Sequence, residues 1–169
     1  MSDTLAVAIN NADKNFRNDP PRARATFVSD SRLGERFRSE VSLRSHRLVV
    51  DEPHGIGGTD AGPTPVELLL AALGTCQEIT YRAFATALGI ALDGVAVKVE
   101  GDIDFRGFFA IDTDIRPGFQ AIRVNVEITS SASDADIGRL RAAVNQHCPV
   151  LDMLQTPVPT ALTLHRSAP

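Results

Sequence analysis

The sequence contains few cysteines, no concentration of positive charge and no long hydrophobic run. Only two of its 169 residues are cysteines, Cys76 and Cys148, and they do not form a Cys-x-x-Cys motif. The four histidines are scattered, so the sequence does not predict a zinc site. A formal net charge of -4 provides no basic surface for a nucleic acid, and we expect no nucleic-acid partner.

The longest apolar run, from Leu68 to Leu73, is far too short to span a membrane. The first ten residues lack the basic segment of a secretory signal, so we expect a cytoplasmic protein without a membrane partner. Because thiols stay reduced in that compartment, a stable structural disulfide is not expected. The two cysteines are then either inert core residues or redox and catalytic groups.

Hydrophobic content of 43% and charged content of 22% are typical of a soluble globular protein. We expect a flexible N-terminal arm over residues 1–22, which ends after Pro20-Pro21, and a single domain over 23–169. Residues 51–65 are rich in glycine and proline and predict a loop. That loop has neither a GxGxxG motif nor a Walker lysine, so no nucleotide cofactor is expected.

Hydrophobic periodicity predicts an α+β fold with the element order ββαββαβ and mostly antiparallel strands. The predicted strands are 23–30, 37–50, 95–103, 119–128 and 160–165, the last of them an edge strand. The predicted helices are 65–88 and 134–146, with a short helical turn over 150–154.

The helix over 65–88 carries Cys76 and is apolar around most of its circumference. Thr64 is the predicted N-cap, Pro65 opens the helix, and Gly89 is the predicted C-cap. A helix with so little polar surface is expected to be buried against a sheet or a second subunit.

Neither cysteine is marked as reactive by its local sequence. Cys76 lies about three turns into its helix, too far from the N-terminus for the helix dipole to lower its pKa. Activation would require a cation from another element. Cys148 precedes Pro149 and therefore stands at a helix end, where a thiol is more accessible. Taken singly, each cysteine is more typical of a hydrophobic core than of a catalyst.

The pair of motifs is more informative than either cysteine alone. The run GGTDAGPTPVELLLAALGTC (residues 57–76), with Cys148-Pro149-Val150 after a later helix, resembles the OsmC/Ohr family of osmotically inducible and organic hydroperoxide resistance proteins. The resemblance implies a fold in which sheets wrap around central helices in an intertwined homodimer.

The resemblance also implies a thiol-dependent peroxidase. In that chemistry Cys76 attacks an organic hydroperoxide and becomes a sulfenic acid, and Cys148 resolves it as a Cys76–Cys148 disulfide. An external dithiol, which in this family is often a lipoyl group on a protein, then restores both thiols. No metal, flavin or other cofactor is implied.

The family activates its thiolate with an arginine held by a glutamate, and here the sequence departs from the pattern. The glutamate's position, ten residues before the first cysteine, is occupied by Val66. Glu67 follows and is our candidate for this role, although one step along a helix turns a side chain by about 100°. The alternative is that Glu67 is an ordinary first-turn acid favoured by the helix dipole. Among the arginines we select Arg44, which a period-2 pattern places on the same strand face as Ser42 and His46. The remaining candidate arginines are Arg32, Arg36, Arg38 and Arg47.

Two other interpretations remain open at this level. His147 stands beside Cys148 and is a further candidate for assisting thiolate formation. The substitution of Val66 for the family's acid also favours an alternative function, in which a non-enzymatic protein binds a small apolar ligand in the dimer pocket.

Overall fold

The computed structural model describes residues 2–167, and side chains from residue 4 onward. Its elements in chain order are α1 (Ser2–Asn18), β1 (Asp30–Leu33), β2 (Ser39–Leu43), β3 (His46–Val50), α2 (Pro65–Leu88), β4 (Gly94–Asp102), α3 (Phe105–Phe108), β5 (Ala121–Thr129), α4 (Asp134–His147) and α5 (Pro149–Gln155). Short 3-10 turns lie at Pro20–Ala23 and His54–Ile56. The predicted α+β class with antiparallel sheets is confirmed. None of the described helices is long and apolar enough to cross a membrane.

The strands form two separate antiparallel sheets. One has the order β1-β2-β3, and the other pairs β4 with β5 from Gly94–Thr129 to Asp102–Ala121. Helix α2 packs on β4, where Gly74 faces the side chains of Val97 and Val99. In the described chain, no helix packs extensively on the three-stranded sheet.

The hydrophobic core lies between α2, α4 and the start of β4. Leu140 and Val144 on α4 are completely buried against Tyr81 and Ala85 on α2. Burial of a large aliphatic side chain contributes about 1.5–3 kcal/mol. Packing of α4 against α2 therefore fixes where the end of α4, and with it Cys148, meets the middle of α2.

The predicted boundaries of α2 are confirmed at both ends. The Thr64 hydroxyl accepts a hydrogen bond from the Glu67 N–H, and the Glu67 carboxylate accepts one from the Thr64 N–H. This reciprocal capping box satisfies two N–H groups that the first turn of a helix would otherwise leave unpaired. At the other end, Gly89 adopts a left-handed φ of 67°.

The N-terminal part of the sequence differs most from the prediction. The first strand comprises residues 30–33 instead of 23–30, and the predicted strand 37–50 is a hairpin with a turn after Leu43. Arg44 occupies that turn with φ 57°, so its predicted position on a strand face was wrong. A left-handed residue other than glycine gives no sequence signal for a turn.

Three further elements depart from the predicted order. Residues 2–18 form α1, which the sequence analysis did not predict, although Ile9 and Ala12 show helical spacing and are half-buried. Helix α3 lies between β4 and β5, where no helix was predicted. The predicted last strand, 160–165, forms no ladder, and Leu162 and Leu164 are 95% and 94% exposed. This segment has no neighbouring strand with which to pair in the described chain.

Candidate active site

The fold brings the two cysteines together. The sulfur atoms of Cys76 in α2 and Cys148 at the α4–α5 junction are 3.4 Å apart, and both thiols are free. Cys148 ends α4 and begins α5, because Pro149 cannot donate the hydrogen bond that would continue α4. A disulfide requires about 2.05 Å, so a small movement of either side chain would join the two sulfurs.

The two thiols differ in their access to solvent. Cys148 is completely buried, whereas Cys76 is partly exposed. Cys76 opens on an apolar groove of about 470 Å³ along one face of α2. The far side of this groove carries His147 and Pro149. A hydroperoxide entering the groove would therefore meet Cys76 before Cys148.

The surroundings of Cys76 within one chain do not activate it. Burial raises the pKa of the Cys76 thiol, and the adjacent Cys148 sulfur raises it further. Two groups act in the opposite direction by hydrogen bonding, the backbone N–H of Val150 and the hydroxyl of Thr80. Their effect is smaller than that of burial, so the thiolate is disfavoured until a cation approaches.

Val150 and Thr80 were not identified from the sequence as groups at the sulfur. Thr80 lies one turn after Cys76, and its single O–H donates to the Cys76 carbonyl at 2.7 Å or, when the hydroxyl rotates, to the sulfur. Val150 is the second residue of α5, and helix starts leave such N–H groups without an intrahelical acceptor. The available signal in the sequence was Pro149. A proline at the first position of a helix is followed by N–H groups that have no acceptor within the helix, and the N–H of Val150 is one of them.

His147 lies at the groove but has a packing partner of its own. Its imidazole stacks on the Phe84 ring, with the ring centroids 5.1 Å apart and an interplanar angle of 11°. Both rings line the groove into which Cys76 opens. His147 is therefore part of the groove wall.

The described chain does not place Arg44 or Glu67 at the groove. Arg44 stands in the β2–β3 turn, exposed, with a guanidinium nitrogen 3.5 Å from His46 Nε2. No arginine or lysine is among the residues found lining the groove.

Glu67 is hydrogen-bonded to Thr64 and not to an arginine. Its carboxylate caps α2 through Thr64 and makes no ion pair in the described chain. Burial and the charges of Asp51 and Glu67 raise the pKa of Glu52, so Glu67 stands near other acids. Val66 lines a different groove, of about 410 Å³, together with Arg116, which is not among the arginines predicted for the site.

The glycine-rich loop before α2 is organised by one buried carboxylate. Asp51 accepts hydrogen bonds from the N–H groups of Glu52, Thr59 and Ala61 and from the Thr59 hydroxyl, at 2.5–3.2 Å. The Thr59 hydroxyl contributes most to holding the pKa of Asp51 well below its usual range. Gly58 is required here, because a Cβ would lie 1.7 Å from the Glu52 carbonyl oxygen. This network fixes the path of the chain from β3 to α2.

No group of three or more His, Cys, Asp or Glu side chains with metal-binding geometry occurs among the described residues.

Comparison with known proteins shows the family to which this chain belongs. The family model for OsmC-like protein matches residues 58–163, so the chain belongs to the OsmC-like family. No curated protein matches the sequence closely enough to count as a relative.

Several solved structures share the fold. An OsmC-like protein from Mycoplasma pneumoniae superposes with a TM-score of 0.68 at 23% identity, covering 79% of this chain and 89% of that one. An organic hydroperoxide resistance protein OsmC from Legionella pneumophila, described as a predicted redox protein, gives 0.60 at 19% identity over 78% and 90%. An organic hydroperoxide resistance protein from Elizabethkingia anophelis gives 0.61 at 17% identity over 79% and 91%.

Proposed function

We propose that this protein is a cytoplasmic thiol peroxidase that reduces organic hydroperoxides through Cys76 and Cys148 and serves in defence against oxidative stress. The observation that carries the proposal is the 3.4 Å separation of the two sulfurs, with one of them open to an apolar groove. The naming of structural neighbours as organic hydroperoxide resistance proteins supports the choice of substrate.

The proposed cycle has three balanced steps. The Cys76 thiolate attacks the O–O bond of ROOH, and with one proton this gives ROH and the Cys76 sulfenic acid. The Cys148 thiol displaces water from that sulfenic acid and forms the Cys76–Cys148 disulfide. An external dithiol, such as a protein-bound lipoyl group, reduces the disulfide by exchange and becomes a disulfide itself.

The groove favours alkyl and aryl hydroperoxides over hydrogen peroxide. Its lining includes Ile79, Ala83 and Phe84. Burial of each methylene of a substrate there would contribute about 0.8 kcal/mol. Hydrogen peroxide gains nothing from these contacts.

We propose further that the working unit is a homodimer. Within residues 2–167 no helix packs extensively on the three-stranded sheet, and Ile79 on α2 is 69% exposed beside the Cys76 groove. A second copy would cover both surfaces and could bring Arg44 to the thiol that its own chain leaves without a cation. In this proposal Arg44 activates Cys76, and Glu67 orients Arg44.

Sedimentation or light scattering tests the dimer. Ile79→Glu places a charge in the proposed contact, and we expect it to halve the molecular mass relative to the wild type. Ala135→Glu, an exposed first-turn residue of α4, is the matched control and should leave the mass unchanged. A wild-type protein with the mass of a single chain would refute the dimer.

Consumption of cumene hydroperoxide with dihydrolipoamide as reductant tests the enzyme. We expect Cys76→Ser to abolish turnover, because it removes the nucleophile. Cys148→Ser should keep the first step but let Cys76 advance to the sulfinic acid, which mass spectrometry detects. Turnover at the wild-type rate in Cys76→Ser would exclude the mechanism.

A second candidate function is binding of a small apolar ligand without catalysis. The raised pKa of Cys76 in an apolar groove favours it, because a neutral thiol there is simply part of the wall. In that case peroxide leaves both thiols unchanged, and an apolar ligand raises the melting temperature of the protein.

A further inference from the structure

A second cavity lies on a different side of α2 from the cysteine pair. It has a volume of about 630 Å³, is lined by α2, β5, α4 and α5, and opens to solvent on one side. Small-molecule sites commonly occupy about 300–1,000 Å³. Its polar lining consists of Gln77, Tyr81, Asn125, Arg141, Asn145 and Gln155. Neither cysteine lines it, and the proposed peroxidase cycle makes no use of it.

Two of these polar side chains are buried and yet have no protein partner. Gln77 and Tyr81 are each only 3% exposed. Among the hydrogen bonds of the described residues, none involves the Gln77 amide or the Tyr81 hydroxyl. No fully enclosed side-chain polar atom in the described chain lacks a partner, so these two groups open on the cavity. Both groups are therefore free to hydrogen-bond a ligand or water in the cavity.

The cavity is also positively charged within an acidic protein. Arg141 is the charged residue among those found lining it, whereas the chain as a whole carries a net charge of -4. Arg141 makes no ion pair within the described chain. Burial raises the pKa of the Tyr81 phenol, and the nearby positive charge of Arg141 acts in the opposite direction. The guanidinium at the cavity is thus available to an anion.

The remaining lining is apolar. Val124 and Val126 of β5, Ile137 of α4 and Leu151 of α5 separate the polar groups. A ligand that complements this arrangement has one negative charge, a few hydrogen-bonding atoms beside it, and an apolar remainder. A guanidinium binds a carboxylate through two parallel hydrogen bonds.

We propose that this cavity binds a small monocarboxylic acid with an apolar tail. The carboxylate pairs with Arg141 at the exposed side of the cavity and accepts hydrogen bonds from the Asn145 amide. The tail lies on Val124 and Leu151, and Gln77 and Tyr81 supply hydrogen bonds to any further polar atom. The site is separate from the proposed peroxidase groove, since Gln77 follows Cys76 and a single helical step turns its side chain by about 100°.

Titration of the full-length, reduced protein with hexanoate, followed by NMR, tests the proposal. We expect saturable shifts of the Gln77 side-chain amide and the Tyr81 ring signals, with affinity in roughly the millimolar range. Hexanamide, which has the same shape without the charge, should bind about tenfold more weakly. Arg141→Gln should weaken hexanoate binding by a similar factor. Arg139→Gln, on the same helix but absent from the cavity lining, is the matched control and should leave it unchanged.

Tyr81→Phe gives a second, milder variant that removes only the hydroxyl. Its affinity for hexanoate should equal that of the wild type and should keep the dependence on Arg141, because hexanoate has no second polar atom for this hydroxyl to bond. Three results would overturn the proposal: no saturable binding, equal affinity in Arg141→Gln, or shifts confined to the groove at Ile79. Peroxide turnover is not a readout in any arm, so a failed peroxidase hypothesis leaves this test intact.

Discussion

The sulfur atoms of Cys76 and Cys148 lie 3.4 Å apart although the residues are 72 positions apart in the sequence. Packing of α4 on α2 through Leu140 and Val144 holds them there, and the break at Pro149 turns the chain at the right point. The thiol pair is thus a product of the hydrophobic core. In the proposed mechanism, the same packing makes the resolving step intramolecular, without a second protein thiol.

The pH dependence of Cys76 alkylation tests the proposed activation. Only the thiolate reacts with iodoacetamide, and burial within one chain raises the pKa of Cys76. If Arg44 of a second copy supplies a cation, the midpoint of the rate–pH curve should lie below about 8.5, the usual value for a free cysteine. Arg44→Gln should then move the midpoint upward by about one unit, a loss of roughly tenfold in thiolate at neutral pH.

The matched control is Arg139→Gln, which lies on α4 and pairs with Asp136 at the surface. It should leave the midpoint in place. A midpoint that does not change in Arg44→Gln would contradict the assignment of Arg44. Completely buried Cys148 is expected to label slowly, so peptide mapping assigns the signal to Cys76.

Variants of the capping box distinguish the two roles of Glu67, namely capping α2 and orienting the activating arginine. Thr64→Ala removes the N-cap hydroxyl and should lower the free energy of unfolding by about 1 kcal/mol. Glu67→Gln retains an acceptor for the Thr64 N–H, so denaturant unfolding should change by less than about 0.5 kcal/mol. If Glu67 also orients the activating arginine, the same variant should consume peroxide about tenfold more slowly. Full activity in stable Glu67→Gln would restrict Glu67 to capping.

The loop before α2 should depend on the charge of Asp51. Its pKa in the folded protein lies below the ordinary carboxyl value, so it contributes stability above about pH 3.9 and loses that contribution as the pH falls further. We expect Asp51→Asn to lower the midpoint of urea unfolding at neutral pH. The difference from the wild type should stay constant from about pH 6 to about 4 and shrink as the pH falls from about 4 toward 2.

Asp60→Asn is the control for that experiment, because Asp60 is an exposed residue of the same loop. It should unfold like the wild type across the pH range. A difference between Asp51→Asn and the wild type that stays constant down to about pH 2 would mean that hydrogen bonding without charge explains the role of Asp51.

The sequence predicted the parts of the fold that rest on local signals. Helix α2 has a capping residue, a proline start and a glycine end, and each of these leaves a trace in the sequence. The β2–β3 hairpin was missed because Arg44 adopts a left-handed conformation that its residue type does not announce. Residues 160–165 have the alternation of a strand, yet a strand also needs a neighbour, which no local pattern supplies.

The candidate site shows the same division. Cys76 and Cys148 were identified as a pair by their motifs, but their distance depends on how α4 packs against α2. The effect of Val150 on the sulfur follows from where α5 begins relative to Cys76. Contacts of this kind are set by tertiary packing, and a single sequence does not encode them in its spacing.

The most direct test of the central claim is an intact-mass measurement on the reduced protein before and after one equivalent of cumene hydroperoxide. The account predicts the loss of two free thiols with a mass decrease of about 2 Da, as a disulfide replaces two S–H groups, and no such decrease in Cys76→Ser. Two thiols that survive unchanged in the wild type would contradict it.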